Sequence, residues 1–413
     1  MDRTNKQEEA YQKFTKLKVG ALFMKMGVGK TRVALDLVKY NRVNFLLFVC
    51  PFSAIDNIQK EINLWGINCD YKIVGYETIQ SSDKIFLKLL RDLDDKKNFI
   101  IADESIFIKN EGTKRFNRLL QLRNKCQCAL ILNGTPITKN EWDIYNQMYF
   151  LSPKIINMNR QQFLQTFFKR ITYKKLHQSE HTFYKFSEVN ADYLHKLIAP
   201  YIFECDLDFD KKQSEQYRYI SCELTNYQIE KEKKLKEYIQ YGNSEVIINM
   251  LTTLNVISAN SKEKNNALIE YIRGKRLIVY CNFISELDYI ASKVDCYVMT
   301  KKTRNRKQIF ENFAQTNKPL LITFGIGSYS HNLQFCNEIV FSSLTFDYGK
   351  IEQAKYRIKR LGQEQDIKYT YFLADFGINR LILENLKRKQ TLENLIKNKL
   401  QNKGDLELWI KNL

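Results

Sequence analysis

Short apolar runs alternate with amphipathic stretches between residues 19 and 150. VGALFM, FLLFVC, YKIVGY, NFIIAD and CALILN are rich in β-forming residues and bounded by polar positions, the pattern of strands buried on both faces of a parallel sheet. Between them, TRVALDLVKY and SAIDNIQKEINLW space their apolar residues as a helix does. That alternation predicts a doubly wound α/β sheet. The same rhythm returns near Lys275 with RLIVYC, CYVMT, PLLITF, EIVFSS and YTYFLA. Two similar α/β lobes with parallel sheets are therefore expected.

The intervening stretch reads differently. TNYQIEKEKKLKEYIQ and SEVIINMLTTLNVIS predict helices, whereas NRQQFLQTFFKRITYKKL is aromatic and basic. This last segment has two readings: a helix that buries its phenylalanine stripe, or a surface that meets nucleic acid through phosphate contacts and stacking. The helix is favoured. After Arg380 the lysine-rich tail predicts an amphipathic helix packed back across the lobes. The expected division is 1–152 for the first lobe, 153–266 for a helical and basic extension with a linker, 267–380 for the second lobe and 381–413 for the C-terminal helix.

At 413 residues the chain has room for two or three domains with cores of their own, which argues against a single small binding module. Lys plus Arg number 65 against 46 Asp plus Glu, a net charge of +19 that favours polyanions and makes nucleic acid the first partner to consider. The nine cysteines lack a framework spacing, and Cys126 and Cys128 are separated by a single residue; they read as reduced, mostly core thiols. His177 and His181 are spaced as two metal ligands can be, but no thiol or carboxylate cluster accompanies them, so no zinc is expected. The absence of a long apolar run or a signal-peptide core predicts a soluble intracellular protein with no membrane partner.

The strongest local signal is MKMGVGKT, 24–31, set between an apolar run and a helical pattern. A phosphate-binding loop needs that setting. Gly27 and Gly29, with Val28 between them, let backbone amides approach phosphates, Lys30 adds a point charge at the β and γ positions, and the Thr31 hydroxyl can ligate Mg2+. NFIIADES, 98–105, ends a predicted strand in two carboxylates. Asp103 is placed to hold magnesium through its water shell, and Glu104 to orient and deprotonate an attacking water. Such a pair can also simply cap the next helix. With the phosphate loop upstream, catalysis is the favoured reading, with ATP as substrate and Mg2+ as cofactor.

These motifs belong to an ordered series in which the chain resembles the Swi/Snf-type ATPases of helicase superfamily two. MGVGKT is similar to that family's phosphate loop, FVCPFSAIDNIQKEINLW to motif Ia, IVGYETI to the next strand element, ADESIFIKNEGTKRFNRLLQL to motif II and LNGTPITKNEWDIYNQMYFLSP to motif III. RLIVYCNFISELDYI resembles motif IV, HNLQFCNEIVF the end of motif V, and EQAKYRIKRLGQ motif VI, where Gln353, Arg357, Arg360 and Gln363 meet the pattern QxxxRxxRxGQ. The resemblance implies two RecA-like lobes, with ATP between Lys30 on one and Arg357 and Arg360 on the other, Arg360 acting as an arginine finger. It implies that Gln7, 23 residues before Lys30, reads adenine and that Gln363 belongs to the nucleotide site. Duplex DNA is the implied partner, bound without sequence preference through Ser53, Asn57, Thr135 and Asn332.

The function expected from this resemblance is ATP-dependent translocation on double-stranded DNA in replication, recombination or repair. The protein is expected to act as a monomer on DNA, with a nuclease or a replication or recombination protein as a further partner. Two rivals stay open: a strand-separating helicase, and a nucleotide-dependent DNA-binding scaffold with weak turnover. Three departures from the family pattern bear on the choice. Ser105 and Ile106 stand where many relatives have alanine and histidine, Ser328 and Ser330 where motif V usually has glycines, and Asn133 where a threonine is usual. The compact length and the abundance of Lys, Asn and Ile resemble bacteriophage and bacterial members, which predicts a cytoplasmic protein of a bacterial or phage-infected cell.

Overall fold

Every apolar run predicted to be a strand forms one. The computed structural model describes residues 2–25, 27–94, 96–134, 142–173, 181–205, 214–223, 225–239, 244–326, 333–359, 363–375 and 377–387. Its contacts divide the chain into two units, 1–207 and 208–413.

The first unit contains β1 (Val19–Met24), β2 (Phe45–Cys50), β3 (Asp70–Gly75), β4 (Asn98–Asp103), β5 (Cys128–Leu132), a hairpin of β6 (Phe168–Tyr173) and β7 (His181–Phe186), and β8 (Ile202–Cys205). Six of these strands form a sheet in the order β3-β2-β4-β5-β1-β8, with every pair parallel. Alternate residues of a strand point to opposite faces. Leu47, Val49, Ile100, Ala102 and Ile131 accordingly enter one core layer, and Leu46, Phe48, Ile101, Leu130 and Leu132 the other. The second layer is closed by α1 (Asn5–Thr15), α2 (Lys30–Asn41) and α3 (Ile55–Trp65). Helix α1 comes close because Phe14 lies against Gly20 of β1, where a Cβ would stand 2.3 Å from the ring.

The second unit contains β9 (Glu215–Cys222), β10 (Ile278–Cys281), β11 (Tyr297–Met299), β12 (Leu320–Thr323), β13 (Glu338–Phe341) and β14 (Ile367–Ala374). Their order is β11-β12-β10-β13-β14-β9, again parallel throughout. Ile278, Tyr280, Ile322, Ile339 and Phe341 enter one layer, and Val279, Cys281, Leu321, Val340 and Phe372 the other. The α/β class and two parallel lobes expected from the pattern are thus present.

The stretch 153–266 is not a separate extension and linker but is shared between the units: β8 pairs with β1, and β9 with β14. Both are edge strands, and β9 is mostly exposed along its length, so neither carries an apolar run to announce it. Instead, β9 is fastened by cross-strand rings: Tyr217 meets Tyr369 at 5.3 Å and Tyr219 stacks on Tyr371 at 5.1 Å. The helices Asn226–Ile239 and Ser244–Ala259 fall where predicted. The tail beyond residue 387 lies outside the described residues.

All nine cysteines are free thiols, five of them buried. Among the described residues no helix is long and apolar enough to cross a membrane.

Candidate nucleotide site

The parallel strands of the first unit all deliver their carboxyl ends to one edge of the sheet, where ligand-binding loops of α/β folds collect. From β1 the chain passes through Gly27 and Gly29, both at φ 87°, into α2. Gly29 is the N-cap and has no side chain to satisfy the first-turn amides, which leaves that helix terminus suited to an anion. A Cβ at Gly29 would also lie 2.4 Å from Gln7 Nε2. Gln7 is 4% exposed; its Nε2 donates to the Val28 carbonyl at 2.8 Å, while its Oε1 accepts from the Thr4 amide at 3.1 Å. This glutamine therefore clasps the loop to the start of α1.

Two strands away, β4 ends in the acidic pair. Burial and the neighbouring Glu104 charge push the Asp103 carboxyl up, to about 7, while the Lys30 ammonium and the Glu104 amide pull it back. Lys30 and Asp103 thus sense each other's charge across the space between loop and strand. Glu104 adopts φ 52° and ψ 55° and makes no side-chain capping bond to the 3-10 turn Ser105–Ile108. A non-glycine residue in the left-handed region carries strain of about 1–3 kcal/mol. This geometry removes the helix-cap alternative and turns the carboxylate away from local backbone duty.

Sequence reasoning missed the supports of this pair. The Tyr76 hydroxyl donates to the Asp103 carbonyl at 2.8 Å, and its ring stacks on Phe107 at 5.3 Å. Burial and the Asp103 charge push this phenol well up, which keeps its proton available for donation. Ser105, fully buried, donates to Gln147 Oε1 at 2.5 Å and accepts from Asn133 Nδ2 at 3.4 Å. Two of the three departures from the family pattern are therefore one feature: Ser105 and Asn133 touch. The partner, Gln147, lies on the buried helix Trp142–Leu151, and its own Nε2 donates to the Asp143 carbonyl at 2.8 Å. Asp143 in turn sits 3.5 Å from Lys109. Nothing in the spacing marked Gln147 as a partner of the acidic loop.

Ser53 and Asn57 stand beyond the carboxyl end of β2, in the turn Phe52–Ala54 and the first turn of α3, both half-buried. In the second unit, Arg357 follows the helix Tyr348–Lys355 and is 3% exposed, with its carbonyl accepting from the Leu333 amide at 3.2 Å. Gln363 is 5% exposed; its Nε2 donates to the carbonyls of Cys336 at 3.0 Å and Ile358 at 3.3 Å, and its Oε1 accepts from the Gln365 amide. This corrects the expected role of Gln363. Its carboxamide ties the turn after Ile358 to the loop before β13 and is not presented to a nucleotide. Arg360, Thr135, Asn332, Ser328 and Ser330 lie outside the described residues.

The sequence matches the SNF2-related domain over residues 66–269 and the helicase conserved C-terminal domain over 263–362. The chain belongs to the Swi/Snf family of helicase superfamily two. Among its Swi/Snf relatives, the human "DNA annealing helicase and endonuclease ZRANB3" is 22% identical over 448 residues, covering 93% of this chain and 40% of that protein. The "Chromatin-remodeling ATPase INO80" of Candida albicans is 24% identical over 307 residues, 64% of this chain and 20% of that one. A solved structure, the Sulfolobus solfataricus SWI2/SNF2 ATPase core in complex with dsDNA, aligns with a TM-score of 0.43 and 18% identity over 96% of this chain and 92% of that one. The chain spans two fifths or less of the length of these two curated relatives.

Of the Swi/Snf site residues expected from sequence, the first unit brings Gln7, Gly27, Val28, Gly29, Lys30, Thr31, Asp103 and Glu104 to one edge of its sheet.

Proposed function

We propose that this protein hydrolyses ATP and uses the cycle to move along duplex DNA. The observation that carries the reading is the Lys30–Asp103 pairing of charges between an uncapped helix terminus and a strained acidic strand end. The amides of 27–31 and Lys30 receive the phosphates. The Thr31 hydroxyl and Asp103 fit Mg2+, since a buried carboxyl whose charge is disfavoured gains most from a divalent cation. That ion would neutralise charge on the transferring phosphoryl group. Glu104, freed from capping, accepts the proton of the attacking water. Arg357 and Arg360 are the guanidinium groups offered to the γ-phosphoryl oxygens, where a planar fork matches the developing charge.

The net charge of +19 supports a polyanionic partner, and the relatives' names point to DNA. Ser53, Asn57, Thr135 and Asn332 are the proposed phosphate contacts, which position the protein without reading sequence. ATPase rates with duplex DNA, single strands, branched DNA and RNA in parallel test this reading, together with displacement of a triplex-forming third strand. Duplex stimulation with triplex displacement is expected. Unwinding of a fork without triplex displacement would make the protein a helicase, and binding with negligible turnover would make it a scaffold. ATPase activity indifferent to every nucleic acid would end the motor reading.

A further inference from the structure

We infer that the β6–β7 ribbon is a second nucleic-acid contact, built to hold unpaired nucleotides. The inference rests on the proposed DNA partnership and goes beyond it, because the ribbon lies outside both sheets and outside the nucleotide site.

The aromatic and basic segment NRQQFLQTFFKRITYKKL divides into two halves. Its first half is the helix Arg160–Phe167, which buries Phe163 and Phe167 completely. Its second half leaves the core as β6 and pairs antiparallel with β7 alone. A lone two-stranded ribbon is marginal in water, so it needs an anchor. Phe168 and Phe186, on the rung nearest the core, supply it: their rings meet edge to face at 5.6 Å, and Phe168 also contacts Trp142 and Phe163.

Above that anchor the ribbon changes character. Lys169 shares a rung with Lys185, and Arg170 shares the next with Tyr184. Like charges on one rung weaken a ribbon that has no anion to bind. Lys169 and Arg170 are exposed, and Tyr184 is 46% exposed. Lysine on an edge strand can serve only to prevent pairing with other chains, but an exposed tyrosine beside an exposed arginine adds nothing to that defence. Together they provide what a single strand needs: cations for its phosphates, and a ring and a guanidinium plane on which a base can stack. A closed duplex offers the phosphates but no free base face.

The test is fluorescence anisotropy of the full chain, across a salt series, with a labelled oligo-dT single strand, a blunt duplex and a fork combining the two. Arg170→Ser with Tyr184→Ser should weaken single-strand and fork binding about tenfold, since one stacked base is worth that much or more, and should leave blunt-duplex binding nearly unchanged. Lys169→Ser should flatten the single-strand salt dependence by about 0.7 in log–log slope, one phosphate contact. Basal ATPase without nucleic acid reports that the variants are folded. Equal affinities in variant and parent for all three probes, or equal losses on duplex and single strand, would overturn the assignment. A parent chain that binds none of the probes would instead overturn the DNA reading on which it rests.

Discussion

At the carboxyl end of β4 the first lobe holds Asp103 beside Glu104, with Lys30 as the nearest countercharge. Beyond the carboxyl ends of β10 and β13 the second lobe holds Lys264 against Glu286 at 3.0 Å, their side chains 1% and 0% exposed. Glu286 also accepts from the hydroxyls of Ser342 and Ser343, and Lys264 donates to the Ser342 carbonyl at 2.5 Å. Both lobes bury charge at the same edge of the same kind of sheet. In the second lobe the charges close on one another and the edge is structural. In the first, burial has raised Asp103 and left Glu104 in a strained backbone without a capping task, so the charges are kept for something that arrives. Similar folds can thus be told apart by where the polar accounting is left incomplete.

The sharpest way to break this comparison is at Glu104. Glu104→Gln keeps the shape but removes the base, and turnover should fall by about 10²–10⁴-fold, with binding of a fluorescent ATP analogue retained. Single-turnover hydrolysis at the parent's rate would show that the two edges do not differ in kind. In the second lobe the matching change is Glu286→Ala, which strands the Lys264 charge in the core and should cost about 3–5 kcal/mol in urea unfolding followed by a probe within that lobe. Replacing both partners, Lys264→Met with Glu286→Leu, should recover much of that loss, and ATP binding should change little in either variant.

Smaller effects sharpen the picture. Ser105→Ala deletes the hydroxyl between Gln147 and Asn133 and should destabilise by about 1–3 kcal/mol, readable as a lowered melting temperature. Adding Gln147→Leu should restore part of it, and failure to do so would show that the hydroxyl matters for other reasons. Gln363→Ala should be the mildest, at about 1–2 kcal/mol for its lost backbone bonds, with ATP affinity unchanged. A large loss of ATP affinity at unaltered stability would return Gln363 to the nucleotide site.

The strands of both lobes were legible because a strand covered on both faces must be apolar along its length, as NFIIAD and RLIVYC are. The phosphate loop and acidic pair were legible because their chemistry fixes residue types at short range. Edge strands β8 and β9 were not, since one free side lets polar residues in. Nor were Tyr76 and Gln147 as supports of the acidic loop, because they reach it from 27 and 42 residues away in the chain. The contact between Ser105 and Asn133 was hidden for the same reason, although each position alone stood out against the family pattern.

The Gln7 clasp makes α1 and the phosphate loop a single thermodynamic unit. One carboxamide both completes the capping box of the helix and holds the Val28 carbonyl. Any rearrangement of the loop that withdraws that carbonyl disturbs the residue that begins the helix, and fraying of the first turn loosens the loop in return. Amide hydrogen exchange in residues 5–8 should therefore rise and fall with occupancy of the loop. The amino-terminal helix becomes a readout of nucleotide state carried by the protein's own backbone.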